Sequence, residues 1–124
     1  MNDAGAPPQK DTCRKGREGE EEAADYLVSQ GYSIVSRNYR TNRGEIDCIA
    51  RDPLGVLVFV EVKCAKSSAL GSPAFWVTRP KQLKIARLAR QYLAEHGLKN
   101  QRCRFDVITI YKGKLDHIRN AFLA

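Results

Sequence analysis

The chain has 124 residues, of which 43% are hydrophobic and 28% charged, and carries a formal net charge of +7. That length supports one hydrophobic core but not two ordinary domains, and the composition excludes a fibrous, repeat or low-complexity protein. No segment approaches the roughly 20 consecutive apolar residues of a membrane-spanning helix, and the opening "MNDAGAPPQKDT" lacks an apolar signal core, so a cytoplasmic protein without membrane partners is expected.

Residues 1–13, rich in Ala, Gly and Pro without periodicity, read as a disordered lead-in, and the domain is expected over 14–124. From Gly16 to Gln30 the residues Ala23, Ala24, Tyr26, Leu27 and Val28 recur at helical spacing, and Gly31 stands where a helix stops. Three short β-branched and aromatic runs follow, "YSIVSRNYR", "GEIDCIAR" and "VLVFVEVK", separated by the turn compositions "TNRG" and "DPLG". "SSALGSPAFWVT" reads as a loop. "RPKQLKIARLARQYLAEHG" then has Pro near its start, Leu, Ile and Ala at helical period and Gly at its end, which predicts a second helix. "RFDVITIYKGKLDHI" predicts a strand, a Lys-Gly turn and a shorter final strand. The order is α-β-β-β-α-β, with that short strand after it, around one mixed sheet.

The charge is unevenly spread. Residues 1–63 hold 9 Lys and Arg against 11 Asp and Glu, whereas residues 64–124 hold 12 against 3. The basic half is a candidate surface for a polyanion. The cysteines Cys13, Cys48, Cys64 and Cys103 show no zinc-ligand spacing and are expected to be small buried thiols.

More informative are charges on faces that should be apolar. On the first helix Glu18, Glu22 and Asp25 share one arc with Glu21 at its edge, but Glu20 falls between Ala24 and Leu27 and points toward the core. Taken alone, Glu20 is better read as an acid that snorkels out of the first turn or caps the helix N-terminus. In "GEIDCIAR" alternation puts Glu45, Asp47 and Ile49 on one face and Ile46, Cys48 and Ala50 on the other, so an aspartate occupies a strand interior. In "VLVFVEVK" Leu57, Phe59, Glu61 and Lys63 share one face and Val56, Val58, Val60 and Val62 the other, the pattern of a central strand buried on both sides. An ion pair between Glu61 and Lys63 at the end of that strand is the plain alternative. Three elements each aiming an acid inward is harder to explain structurally, because gathered carboxylates repel unless a cation lies among them. All-oxygen ligands suit Mg²⁺ or Mn²⁺, and Lys63 would then orient a water or meet charge on a phosphoryl oxygen.

Asp47, followed after thirteen residues by Glu61-Val62-Lys63, resembles the PD-(D/E)xK nuclease signature. The αβββαβ order resembles the restriction-endonuclease-like fold, an α/β core whose central mixed β-sheet is flanked by helices. The chain also resembles the YraN-like family of small bacterial proteins, through "GREGEEEAADYL", "NYR", "GEIDCIA", "VFVEVK", "VTRPKQ" and "RFDV". These cover nearly all of residues 16–124 in order. That family is similar to archaeal Holliday junction resolvases. The resemblance implies a divalent-metal-dependent nuclease acting on DNA phosphodiesters, with branched or junction DNA as a candidate substrate and a homodimer by analogy with resolvases. It implies that Asp47, Glu61 and Glu20 hold Mg²⁺ or Mn²⁺, that Lys63 is the motif lysine, and that Gln82 joins them from the start of the second helix. Two positions depart from the pattern. Ala65 stands where an arginine is expected, and Cys48 replaces a more usual leucine. The alternative is a nucleic-acid-binding or partner-docking module that keeps the fold without turnover.

Lys84, Arg87 and Arg90 project onto the solvated arc of the second helix. His96 and His117 have no partner motif and read as surface or turn residues, and Asp106 reads as structural. Phe75 and Trp76 could stack on a base or fold back on the core.

Overall fold

The computed structural model describes residues 17–64 and 77–123. The expected lead-in, Cys13, Ala65 and the Phe75-Trp76 loop lie outside them. The described elements are α1 (Arg17–Ser29), β1 (Ser33–Thr41), β2 (Gly44–Arg51), β3 (Leu57–Cys64), α2 (Arg79–Glu95), β4 (Cys103–Tyr111) and β5 (Lys114–Phe122). The last strand is as long as its neighbours rather than short, because it pairs with β4 from Tyr111↔Lys114 to Phe105↔Phe122 across the Lys-Gly turn.

Both helices stop where glycine permits a left-handed residue. At the end of α1 the Gly31 amide donates to Val28 O and the Tyr32 amide to Leu27 O, with Gly31 at φ 91°. At the end of α2 the Gly97 amide donates to Ala94 O and the Leu98 amide to Leu93 O, with Gly97 at φ 64°. These paired bonds satisfy carbonyls that the helix leaves open. The start of α2 is capped by Thr78, whose hydroxyl accepts from the Lys81 amide, and Pro80 occupies the first turn, where its missing N–H costs nothing.

The strands form one sheet in the order β1-β2-β3-β4-β5, with β3 and β4 parallel and the other pairs antiparallel. The parallel pair is joined through α2, since only a long crossover returns the chain to the same end of a sheet. One face of the sheet packs on α2 through Ile46, Ile49, Phe59 and Val107 against Ile85, Leu88, Ala89 and Tyr92. The other packs on α1 through Cys48, Ala50, Val58, Val60, Val62 and Ile108 against Ala23 and Leu27. With helices covering both faces, β3 is buried from Leu57 to Val62, as its uninterrupted apolar sequence requires.

The strict alternation expected for β2 fails at one place. Ile46 packs with Ile49 on the α2 side, while Cys48 and Ala50 pack on the α1 side. The break lies at Asp47, which falls opposite Asn38 between the pairs Arg37↔Cys48 and Tyr39↔Ile46. Asn38 has φ 57°, a left-handed conformation that asparagine tolerates better than most residues. The irregularity in β1 is matched in β2, so the faces of both strands turn over there.

Gly31→Ala is expected to lower stability by about 1 kcal/mol, because alanine resists the left-handed conformation and its methyl would meet Pro53 Cγ at 3.3 Å. Denaturant midpoints of the two proteins at equal m-value test this, and an unchanged midpoint would contradict it.

Candidate functional site

Of the five acids on α1 past its first residue, Glu20 alone is buried, at 5% exposure, while Glu18, Glu21, Glu22 and Asp25 are exposed. The helical projection therefore identifies the inward acid. Asp47 is 1% exposed and Glu61 3%, and Lys63 is half-buried. Cys48↔Val60 is the last pair of the β2–β3 ladder, so Asp47 and Glu61 occupy the first positions beyond it. There the Val62 amide donates to Asp47 Oδ2 at 2.8 Å. A carboxylate thus takes the hydrogen bond that a β2 carbonyl would accept if the ladder continued.

Glu20 approaches from the α1 side. The Cys48 thiol is pushed up to about 12, first by burial and then, against the lowering influence of Arg37, by the nearby charges of Asp47 and Glu20. Both acids therefore lie within electrostatic reach of one buried sulfur. Among the described residues, however, no three His, Cys, Asp or Glu side chains stand close enough to hold one metal ion. The structure brings the three acids to one end of the sheet without closing them on a single point.

On the α2 side, Lys81 Nζ lies 3.2 Å from Glu61 Oε2. Among the described residues a cation thus reaches Glu61 from the first turn of α2, a contact the sequence did not suggest. Lys81 was visible only as the middle residue of "PKQ". Gln82, expected at the site, is half-buried, donates from Nε2 to Val77 O at 2.9 Å and accepts from Arg79 at Oε1 at 3.0 Å. It ties the start of α2 to the segment before it.

A second polar cluster lies on the α1 face, where Asp106 stands opposite Val60 on the neighbouring strand. Asp106 is fully buried and accepts from the Arg104 guanidinium at 3.0 Å and from the Asn120 amide at 2.9 Å. His117 Nε2 lies 2.7 Å from Asp106 Oδ2 and Nδ1 lies 3.1 Å from the Tyr26 hydroxyl. The side chain of His117 is 4% exposed, so it is not the surface residue expected, because pairing opposite Ile108 turns its ring onto the α1 face against Asp106 and Tyr26. Arg104 also reaches Asp52 and the Tyr32 hydroxyl, each at 2.6 Å. Asp106 is structural, as expected. His96 is exposed at the C-cap of α2, as a turn residue should be. Cys48 is a buried free thiol and Cys103 a half-buried one, whereas Cys64 is disulfide-bonded and departs from the thiol expectation.

Burial by itself would push Asp106 up, but hydrogen bonds from His117, the Asn120 amide and Arg104 outweigh it and hold the carboxyl below its usual range. An unfolded aspartate titrates near 3.9, so this stabilisation is complete above about pH 4 and is lost as pH falls through the depressed folded value. Asp106→Asn is expected to cost about 3 kcal/mol at neutral pH. The gap from the unsubstituted protein should narrow below about pH 4, and a gap that stays constant from pH 7 to pH 3 in denaturant unfolding would contradict the assignment.

A model of the uncharacterised protein family UPF0102 matches residues 19–110, which span α1 to most of β4. A UPF0102 protein of Desulfosudis oleivorans is 47% identical over 109 residues, covering 86% of this chain and 88% of its own length. One from Symbiobacterium thermophilum is 47% identical over 116 residues, covering 90% and 98%. One from Chlorobaculum parvum is 48% identical over 120 residues, covering 87% and 91%. With this agreement along nearly the whole of both partners, the chain belongs to the UPF0102 family.

Proposed function

We propose that this protein is a divalent-metal-dependent nuclease that hydrolyses DNA phosphodiesters, on a fold of the restriction-endonuclease-like kind. The observation that carries the reading is the burial of Glu20, Asp47 and Glu61, each at most 5% exposed, at one end of the sheet. Burying carboxylates costs several kcal/mol apiece unless strong partners compensate. A sheet that retains two of them in adjacent positions just beyond a strand pair gains from a cation there.

The donors are all carboxylate oxygens, which suits Mg²⁺ or Mn²⁺. Asp47 and Glu61 would hold the ion, with Glu20 completing the set from α1. A bound Mg²⁺ supplies Lewis-acid stabilisation of the charge that develops on the phosphoryl oxygens. The chain's own groups do the rest. Lys63, one pleat beyond Glu61, orients the attacking water. Lys81 contributes a second positive charge at the same carboxylate and is the group a metal would move aside. Val60 and Val62, packed on the α1 side, and Phe59, packed on the α2 side, keep the strand end from yielding. Branched or junction DNA is the substrate that the resolvase resemblance favours, cut by a homodimer.

The Lys81–Glu61 pair favours one competing reading, a DNA-binding or partner-docking module in which a lysine stands in for the metal without turnover. Labelled linear, nicked and four-way-junction DNA, incubated with Mg²⁺ or Mn²⁺, separate the two. The nuclease reading expects cleavage by the unsubstituted protein and a loss of about a hundredfold or more in Asp47→Asn, which retains an acceptor for the Val62 amide. Binding without cleavage on every substrate would sink it. Mg²⁺ should also raise the melting temperature of the unsubstituted protein, and more strongly that of Lys81→Ala, in which the competing ammonium is gone. A melt that Mg²⁺ leaves unmoved in both proteins would argue for the docking module.

A further inference from the structure

A cleft of about 370 Å³ opens between the β1–β2 turn and the outer stripe of α2, lined by Arg43, Pro80, Lys84, Arg87, Leu88 and Gln91. Three of its six lining residues are cations and none is an acid. Lys84 lies directly over the turn, since a methyl placed on Gly44 would stand 2.9 Å from Lys84 Cε. Reading Lys84 and Arg87 as an ordinary wet helix face does not account for their meeting Arg43 across a concavity.

Several arginines elsewhere in the molecule are engaged. Arg40 pairs with Glu45, Arg104 with Asp52 and Asp106, and Arg51 bonds Gly55 O and Gln101. Among the described residues none of Arg43, Lys84 and Arg87 is in an ion pair. The single acid of α2, Glu95, is held at the far end by Tyr39 and Gln91. Like charges facing one another across a cleft with apolar walls from Pro80 and Leu88 reinforce one another's field and concentrate anions there.

The surface of α2 links the cleft to the acid site. Lys81, at Glu61, and Lys84, in the cleft, are three residues apart and therefore neighbours on the α2 surface. From Lys81 to Gln91 the helix rises about 15 Å at 1.5 Å per residue. One strand of duplex DNA rises about 3.4 Å along the duplex axis per phosphate and winds as it does so, so this length faces only a few consecutive phosphates. We infer that the Arg43–Lys84–Arg87 cleft is a phosphate-backbone subsite that holds the flank of a DNA duplex whose scissile end lies at Glu61 and Lys81. It rests on the DNA reading above and adds the direction of the substrate, along the outer face of α2 toward the β1–β2 turn. Contacts to phosphates alone make the subsite indifferent to base sequence.

The test is fluorescence anisotropy of a labelled duplex in EDTA, so that nothing is cut, over a series of NaCl concentrations. Three proteins are compared: the unsubstituted chain, the cleft variant Arg43→Ala/Lys84→Ala/Arg87→Ala, and a control, Lys99→Ala/Lys112→Ala/Lys114→Ala, which removes the same charge from exposed positions elsewhere. Losing three phosphate contacts should flatten the slope of log K against log salt by about 2.7, at about 0.9 per phosphate. The cleft variant should bind at least about tenfold more weakly at low salt, with the control close to the unsubstituted protein. Equal binding and slope in the cleft variant, or an equal loss in the control, would overturn the subsite while leaving the nuclease reading in place. No binding of duplex by the unsubstituted protein even at low salt would overturn the subsite, and no binding of a labelled four-way junction in the same assay would overturn the nuclease reading as well. Should the triple variant fail to melt cooperatively, Arg87→Ala alone serves, with an expected flattening of about 0.9 and the same overturning result.

Discussion

A single hydrogen bond, from the Val62 amide to Asp47 Oδ2 at 2.8 Å, governs the acidic end of this sheet. Strands that part inside a protein strand their amides and carbonyls, and each buried unpaired group costs about 1–3 kcal/mol. Here β2 leaves β3 after Cys48↔Val60, and the Asp47 side chain supplies the acceptor that the departing backbone withdraws. The carboxylate is thereby fixed beside Glu61. Asn38, left-handed in the neighbouring strand, lets β1 follow the same turn-over of faces. An alanine at 47 would leave the amide open as well as removing an acid, so fold and chemistry meet in one side chain.

The two charged systems of the molecule contrast. Asp106 is surrounded by Arg104, His117 and the Asn120 amide, every contact short, and the cluster joins β4 and β5 to Tyr26 of α1 and Asp52 after β2. Its groups are neutralised within the fold, which suits a structural clamp. Around Glu20, Asp47 and Glu61 the partners are of another kind, since the lysine at Glu61 is 39% exposed on a long flexible stem. The basic cleft along α2 extends the contrast, since it gathers positive charge without supplying the acids to neutralise it.

How much was legible in the sequence varied with the range of the interaction. Helix ends were readable from Gly31 and Gly97, because a left-handed residue is a local demand that glycine alone meets cheaply. The double burial of β3 was readable from Leu57 to Val62, since an unbroken apolar strand has nowhere else to go. Glu20 could be singled out because a helix projects its residues at a constant angle. The β2 pattern misled at Asp47, since alternation presumes a regular strand and gives no warning that Asn38 opposite will reverse the faces. His117 was misjudged for a similar reason. Its burial depends on pairing opposite Ile108, which sets its ring against Asp106, a contact between residues eleven apart in sequence that no local pattern encodes.

What the sequence by itself determined is the set of elements, their order and which acids would be turned inward, because periodicity, turn chemistry and helix capping act over a few residues. Only the tertiary structure decided where those side chains meet. The exit of β2 from β3 set Asp47 beside Glu61, the docking of α2 brought Lys81 rather than Lys63 against that glutamate, and the β1–β2 turn brought Arg43 to face Lys84 and Arg87. Those meetings join residues from separate elements. Their positions follow from how the two cores pack on opposite faces of one sheet, which is a property of the whole chain and of no stretch within it.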